Sequence, residues 1–345
     1  MKKLVRILCI VLTLAMLSFA LAACGKKEGN DDTPGGNNGD VSGGDTAQKT
    51  EIRVGVLKGP TGIGAVKFMK DAQTGATDGK YTVTLYETAS VGNLNNDIIN
   101  GTLDIAALPV NAGATLYNKS SGKIQVIAAN ALGVLSIVGK EDISDIKGLS
   151  GKTLHTTGQA STPEYIINYV LEKNGLKAGD DVEIKYYPDG NTALAAMLKD
   201  GGYAMLPEPA TTSALAKNDD LKIIFDVTSE WNKVSDTQLI QGCLVVNKAF
   251  ADSHKAEVGK FLREYAEGVE FVQNNPSEAA ELVVEYGIIA NKEMAEKSIP
   301  RSNVVCITGS GMKDAVSAML GVLYSADASS VGGKLPDDAY YYVGE

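Results

Sequence analysis

The sequence predicts an α/β protein of two lobes, each a mostly parallel sheet with helices on both faces. Three observations carry this. Strand-like and helix-like segments alternate as β-α-β-α-β-α-β from Glu51 to Ala129. The same order begins again at Lys152 in matching register: Leu108-Pro109 and Leu206-Pro207 stand 98 residues apart, as do Gly59 and Thr157. Two extra strands, Val134–Val138 after the first unit and Cys243–Val246 after the second, lead into lobe 2 and out again. A double crossing of this kind hinges the lobes.

In the first unit, Ile52–Leu57 is a strand that runs through the turn Lys58–Gly62 into an amphipathic helix, Ile63–Ala72. Tyr81–Tyr86 alternates as a strand, and Val91–Asn100 reads as a helix stopped by Gly101. Asp104–Leu108 is a short buried strand, Pro109-Val110-Asn111 opens a helix to Tyr117, and Lys123–Ala129 is the next strand. In the second unit, Thr153–Thr156 is a strand and Gly158–Ser161 a turn. The helix Pro163–Lys173 follows, with Ser161 and Glu164 at capping-box spacing and Gly175 as its stop. Val182–Tyr187, Asn191–Lys199 and Tyr203–Leu206 repeat strand, helix and strand; Pro207-Glu208-Pro209 opens a helix toward Lys217, and Leu221–Asp226 closes the unit. Beyond it, Val258, Phe261, Leu262, Tyr265, Val269 and Val272 follow helical spacing, and Asn275-Pro276-Ser277-Glu278 caps a helix ending at Gly287. With this tail assigned to lobe 1, the expected division is 51–138 and 247–345 for lobe 1 and 139–246 for lobe 2.

The amino terminus has the pattern of an export signal, expected over residues 1–23: Lys2, Lys3 and Arg6, an apolar run from Ile7 to Phe19 too short for a confident membrane span, then Leu21-Ala22-Ala23-Cys24. Leu-Ala-Ala-Cys-Gly resembles the bacterial lipobox, which implies cleavage before Cys24 and lipidation of its thiol. Residues 24–50 are crowded with Gly, Asn, Asp and Ser and have too little apolar surface to offset ordering entropy, so a flexible tether is expected. Loss of residues 1–23 takes the net charge from −10 to −13, which argues against a nucleic-acid partner. Cys9 leaves with the signal, so only Cys243 and Cys306 could pair; two buried thiols are the expected state. No later segment has the length of a membrane helix, so the body is expected to be soluble and held at the extracytoplasmic face by acyl chains.

Several motifs narrow the reading: Gly59-Pro-Thr-Gly62, Asp104-Ile-Ala-Ala-Leu-Pro109, Thr156-Thr-Gly-Gln-Ala-Ser-Thr-Pro-Glu-Tyr165, Leu206-Pro-Glu-Pro209 and Asn275-Pro-Ser-Glu-Ala-Ala280. Over Glu51–Tyr324 the chain resembles the nitrate, sulfonate and taurine group of substrate-binding lipoproteins of ATP-binding-cassette importers, which also includes thiamine-pyrimidine binders. The resemblance implies a two-lobed clamshell of the periplasmic-binding-protein-like type II fold. It further implies a monomeric receptor that closes on a small solute and passes it to permease and ATPase subunits, with no cofactor, metal or chemistry of its own.

In open parallel sheets, ligands lie beyond the carboxyl ends of the strands, where helix amino termini offer unpaired N–H groups. The candidate contacts at those ends are Gly59, Pro60, Thr61, Gly62, Pro109, Val110, Asn111 and Asn130 from lobe 1, and Thr157, Gly158, Gln159, Ser161, Asp189 and Glu208 from lobe 2. Helix amino termini favour an anion, whereas Asp189 and Glu208 point to a zwitterion or a neutral heterocycle with donors. Gly59–Gly64 lacks the Gly-Lys-Ser/Thr ending of a phosphate loop, and His155 and His254 alone make no zinc trap. His254 is expected to be solvated, and Trp231 to serve the core or the surface more readily than a ligand. Two other classes stay open: a secreted enzyme using Asp189, Glu208 or Cys243, and a ligand-sensing subunit of a signalling system.

Overall fold

The computed structural model describes residues 49–344, so the export signal, Cys24 and most of the tether lie outside the described residues. The first repeat folds as β1 (Glu51–Leu57), α1 (Pro60–Thr74), β2 (Lys80–Tyr86), α2 (Val91–Ile99), β3 (Ile105–Pro109), α3 (Val110–Lys119) and β4 (Ile124–Leu132). Strand β5 (Leu135–Gly139) then opens the second repeat: β6 (Thr153–Thr157), α4 (Thr162–Lys173), β7 (Glu183–Tyr187), α5 (Gly190–Asp200), β8 (Tyr203–Pro207), α6 (Ala210–Lys217), β9 (Lys222–Asp226) and α7 (Val227–Asn232). The chain returns through β10 (Ile240–Asn247) to α8 (Lys248–Ser253), α9 (Lys255–Asn274), α10 (Pro276–Glu285), α11 (Lys292–Ser298), β11 (Val304–Ile307) and α12 (Gly309–Ala326).

These strands form two sheets, ordered β2-β1-β3-β10-β4-β11 and β7-β6-β8-β5-β9. The order of the second sheet matches the first five strands of the first, with one antiparallel strand inserted between the third and fourth repeat members, and β11 adds an antiparallel edge strand to the first sheet alone. The inserted strands are the two expected crossings, and each belongs wholly to the sheet it enters. Strand β5 pairs with β8 and β9 in the second sheet, and β10 pairs with β3 and β4 in the first. The boundaries expected at 138/139 and 246/247 therefore cut through strands. The chain changes sheet in the links before them, at 133–134 and 233–239. A strand buried on both faces satisfies its backbone only within one sheet, which leaves the links as the places where the chain passes from sheet to sheet.

The apolar side of β1, β3, β4 and β10 packs on α1 and α9, where Phe68, Tyr81, Phe261 and Tyr265 meet edge to face or tilted. This contact joins the tail to lobe 1. Trp231 is fully buried, stacks on Tyr169 and donates its indole N–H to Thr237 O at 2.6 Å. His254 is not simply solvated: its ring stacks on Phe250 with centroids 4.5 Å apart. The capping box expected at Ser161 does not form. Glu164 accepts the Ala160 N–H, while the Ser161 hydroxyl turns back to Gly158 O at 3.0 Å, because the left-handed Ala160 redirects the turn. Cys243 and Cys306 are both free thiols; Cys243 is buried and Cys306 partly so.

His155 gives the second lobe a defined pH response. It is buried on β6, with Nε2 3.1 Å from Gly201 O and Nδ1 3.0 Å from the Tyr187 hydroxyl. A carbonyl only accepts, so Nε2 carries the proton and Nδ1 accepts from Tyr187. Burial, aided by Lys185, lowers the pKa from its ordinary 6.5 against the opposing pull of Gly201 O, Asp200 and Glu183. Below pH 6.5 the unfolded chain takes up a proton that the folded ring resists, so this contribution is present above that pH and is lost as pH falls. The melting temperature of the wild type is expected to drop more steeply than that of His155→Gln on acidification from neutral pH. Parallel profiles would exclude His155 as the source.

Candidate functional site

Strands β1, β3 and β4 run parallel, so their carboxyl ends share one edge of the first sheet, where β10 also begins. Helix α1 starts at this edge. Gly59 is its N-cap at φ 105°, Pro60 takes the first helical position, and Thr61 donates its hydroxyl to Leu57 O at 2.9 Å. Gly62 is buried against Leu57 O, where an added Cβ would approach within 2.8 Å. Pro109 and Val110 open α3 at the end of β3.

Asn130 is placed by a β-bulge. Gly242 pairs with Ala131 and Cys243 with Ala129, which leaves Asn130 as the extra residue of β4. Its side chain is 0% exposed, and neither its carboxamide oxygen nor its nitrogen makes a hydrogen bond of ordinary geometry. A Cβ on Gly242 would stand 2.5 Å from Asn130 Oδ1 and 3.4 Å from Thr61 Cγ2, so the missing side chain at 242 makes room for both. The hydroxyl of Tyr265 is buried beside this carboxamide, and burial pushes its pKa up against the opposing pull of Asn130, which keeps it a neutral hydroxyl. Buried polar atoms are nearly always paired, so this amide and hydroxyl, which face one another without a hydrogen bond of ordinary geometry, leave hydrogen-bonding capacity at the strand-end edge.

The carboxyl ends of β6, β7 and β8 share an edge of the second sheet in the same way. Thr157 ends β6, and Gly158 follows at φ 80° with Pro163 and Ser161 packed over it. Thr162, the first residue of α4, donates its hydroxyl across to Asn111 Oδ1 at 2.7 Å, so two turns named from the sequence touch lobe to lobe. Gln159 lies apart: it lines a crevice of about 390 Å³ with α4 and the tail residues Ala326, Asp327 and Ser329. Asp189 caps α5 through the Thr192 N–H at 2.9 Å and its hydroxyl at 3.0 Å, a local duty that accounts for its carboxylate.

Glu208 is the clearest departure from the expected set. Its carboxylate takes Arg301 Nε at 2.7 Å on one oxygen and the hydroxyls of Thr212 and Ser298, at 2.7 and 3.0 Å, on the other. With its side chain 1% exposed and its oxygens engaged, it is an internal ion pair rather than an open ligand contact. Arg301, Ser298, Gly242 and Tyr265 were not legible as site residues. None lies in a strand-end turn of the repeats, and only the tertiary fold brings the tail to the second lobe. Cys243 is buried and its thiol is pushed up to about 12, which keeps it protonated and a poor nucleophile. Among the described residues no cluster of His, Cys, Asp and Glu is arranged to hold a metal ion, and no helix is long and apolar enough to cross a membrane.

Two sheets of matching order, joined by two links, with helix amino termini facing one another from both strand-end edges, define a two-lobed periplasmic-binding-protein fold. The chain belongs to the NMT1/THI5-like family, whose model matches residues 83–279. An ATP-binding-cassette transporter protein from Parabacteroides distasonis superposes with a TM-score of 0.71 at 24% identity, over 85% of this chain and 99% of that one. The periplasmic aliphatic sulphonate binding protein SsuA of Escherichia coli gives 0.69 at 12% identity, over 86% and 92%. The alkanesulfonate-binding protein SsuA of Xanthomonas axonopodis pv. citri, bound to MOPS, gives 0.63 at 13%, over 84% and 96%. No curated protein sequence matches the chain.

Proposed function

We propose that the protein is the lipid-anchored, extracytoplasmic solute-binding component of an ATP-binding-cassette importer. In this reading it captures a small polar or anionic organic solute, sulfonate-, taurine- or nitrate-like or pyrimidine-like, and delivers it unchanged to the permease. The observation that carries this reading is Asn130: a fully buried carboxamide that faces the Tyr265 hydroxyl and makes no hydrogen bond of ordinary geometry at the strand-end edge, beside Thr61 and the bare backbone of Gly242. Its donor and acceptor cost free energy when unpaired and regain it when a polar solute supplies complementary atoms. The turns 59–62, 109–111 and 157–161 complete the pocket from both lobes, with closure about the links at 133–134 and 233–239. The structural relatives named for transport or sulfonate binding support the same role.

Native mass spectrometry of the purified protein tests this: a non-covalent small molecule is expected, released intact on denaturation. Conversion of that molecule by the protein would replace the carrier with an enzyme. For the anchor, Cys24→Ser is expected to stop lipidation and signal cleavage, read by metabolic labelling with a fatty acid. Labelling that persists in the variant would assign the lipid elsewhere.

A further inference from the structure

The first link between the lobes is held from both sides. Asn303, in lobe 1, accepts the Leu132 N–H at 3.0 Å and donates its side-chain amide to Gly133 O at 2.5 Å. Gln241 accepts the Val134 N–H at 2.6 Å, and Glu208, in lobe 2, donates its N–H to Val134 O at 3.1 Å. Gly133 has no spare room: a Cβ there would fall 2.0 Å from Thr228 Oγ1. Close to this pivot, the same two segments meet directly. Arg301 and Ser298 come from the tail of lobe 1, and Glu208 and Thr212 from the second lobe; Arg301 Nη2 also reaches Thr212 Oγ1 at 2.6 Å. The lobes thus have a third connection beside the two covalent links, made of one ion pair and two hydroxyls.

We propose that Arg301 is a positioning residue for solute capture, locking Glu208 and so fixing the angle at which the lobes close. The proposal rests on the solute-binding reading only in taking the lobes to move. Charge-assisted hydrogen bonds near 2.7 Å demand close alignment, so rotation about Gly133 that shifts the Pro207–Pro209 turn from the Pro300–Ser302 turn breaks them together. The asymmetry of exposure makes the lock reversible. The Arg301 side chain is 37% exposed and can keep its water when it lets go, whereas the Glu208 carboxylate, at 1%, must be wetted before the lobes part. The Thr162–Asn111 hydrogen bond joins the lobes in the same arrangement, so lock and turn-to-turn contact are made together.

The test needs no solute. Hydrogen exchange and small-angle scattering are measured on the solute-free full chain for wild type, Arg301→Gln, Glu208→Gln and Arg301→Lys. In both glutamine variants the Val134 and Glu208 amides are expected to exchange roughly tenfold faster or more, the worth of a charged hydrogen bond. The radius of gyration should rise, while amides inside β1 and β8 keep their wild-type rates. Arg301→Lys, which keeps the charge without the fork, should restore part of the protection. Unchanged link amides in folded variants would overturn the proposal. So would uniform acceleration through both sheets, the mark of a pair that only stabilises the fold. Neither result bears on whether a solute co-purifies, so the two readings fail separately.

Discussion

Asn130→Leu is expected to make the protein more stable and unable to hold its solute. Leucine has nearly the shape of asparagine without its donor and acceptor, and both of those atoms are buried without a hydrogen bond of ordinary geometry. Removing an unsatisfied buried amide is expected to gain about 1–3 kcal/mol. The same change deletes the groups that would pair with the solute, and affinity should fall roughly 100-fold, as two lost hydrogen bonds and a stranded solute atom imply. Function and stability then move in opposite directions, as they do where a binding site is kept at the expense of the fold. Urea denaturation reads the first effect, and calorimetric titration with the solute identified by mass spectrometry reads the second. A destabilised Asn130→Leu would mean that the amide serves the fold through a buried water; unchanged affinity would place the solute elsewhere.

Gly202→Val carries the largest expected cost to the fold. Gly202 sits at φ 88°, a left-handed conformation that a β-branched residue resists, and its added Cβ would stand 2.3 Å from the carbonyl oxygen of Thr153. That oxygen is backbone of β6, the strand that carries His155 and ends at the Thr157 turn, so it cannot swing aside as a side chain could. Backbone strain and overpacking each cost about 1–3 kcal/mol, and together they should remove about 3 kcal/mol or more. Gly201 is the internal control: it has a similar φ of 84° but nothing within 4 Å of an added Cβ, so Gly201→Val should suffer the strain alone. Equal losses in the two variants by chemical denaturation would remove the steric argument.

Much of the architecture was readable because local patterns dictate it. Alternating and helical periodicities place strands and helices whatever they pack against, and the 98-residue repeat is a property of the chain alone. The candidate turns were readable for the same reason, since a strand followed by Gly, Pro and Thr and then by a helix must leave unpaired N–H groups at a strand end. The departures at β5, β10 and Glu208 share a different cause. Which sheet β5 and β10 join depends on hydrogen bonds to strands distant in sequence, and no local pattern records that choice. Glu208 looked like an open ligand contact because its counter-ion lies 93 residues away on the tail. Asp189 looked the same, although its partner, Thr192, is local and readable as a cap.

The sequence by itself determined two repeated α/β units and the turns at their strand ends, because each follows from residues a few positions apart. The tertiary structure decided the rest. It threaded one antiparallel strand into each sheet, set Asn130 as a buried amide in a bulge beside Gly242, and brought Arg301 to Glu208. Those features arise from contacts between segments far apart in the chain, whose chemistry exists only once folding has removed them from water.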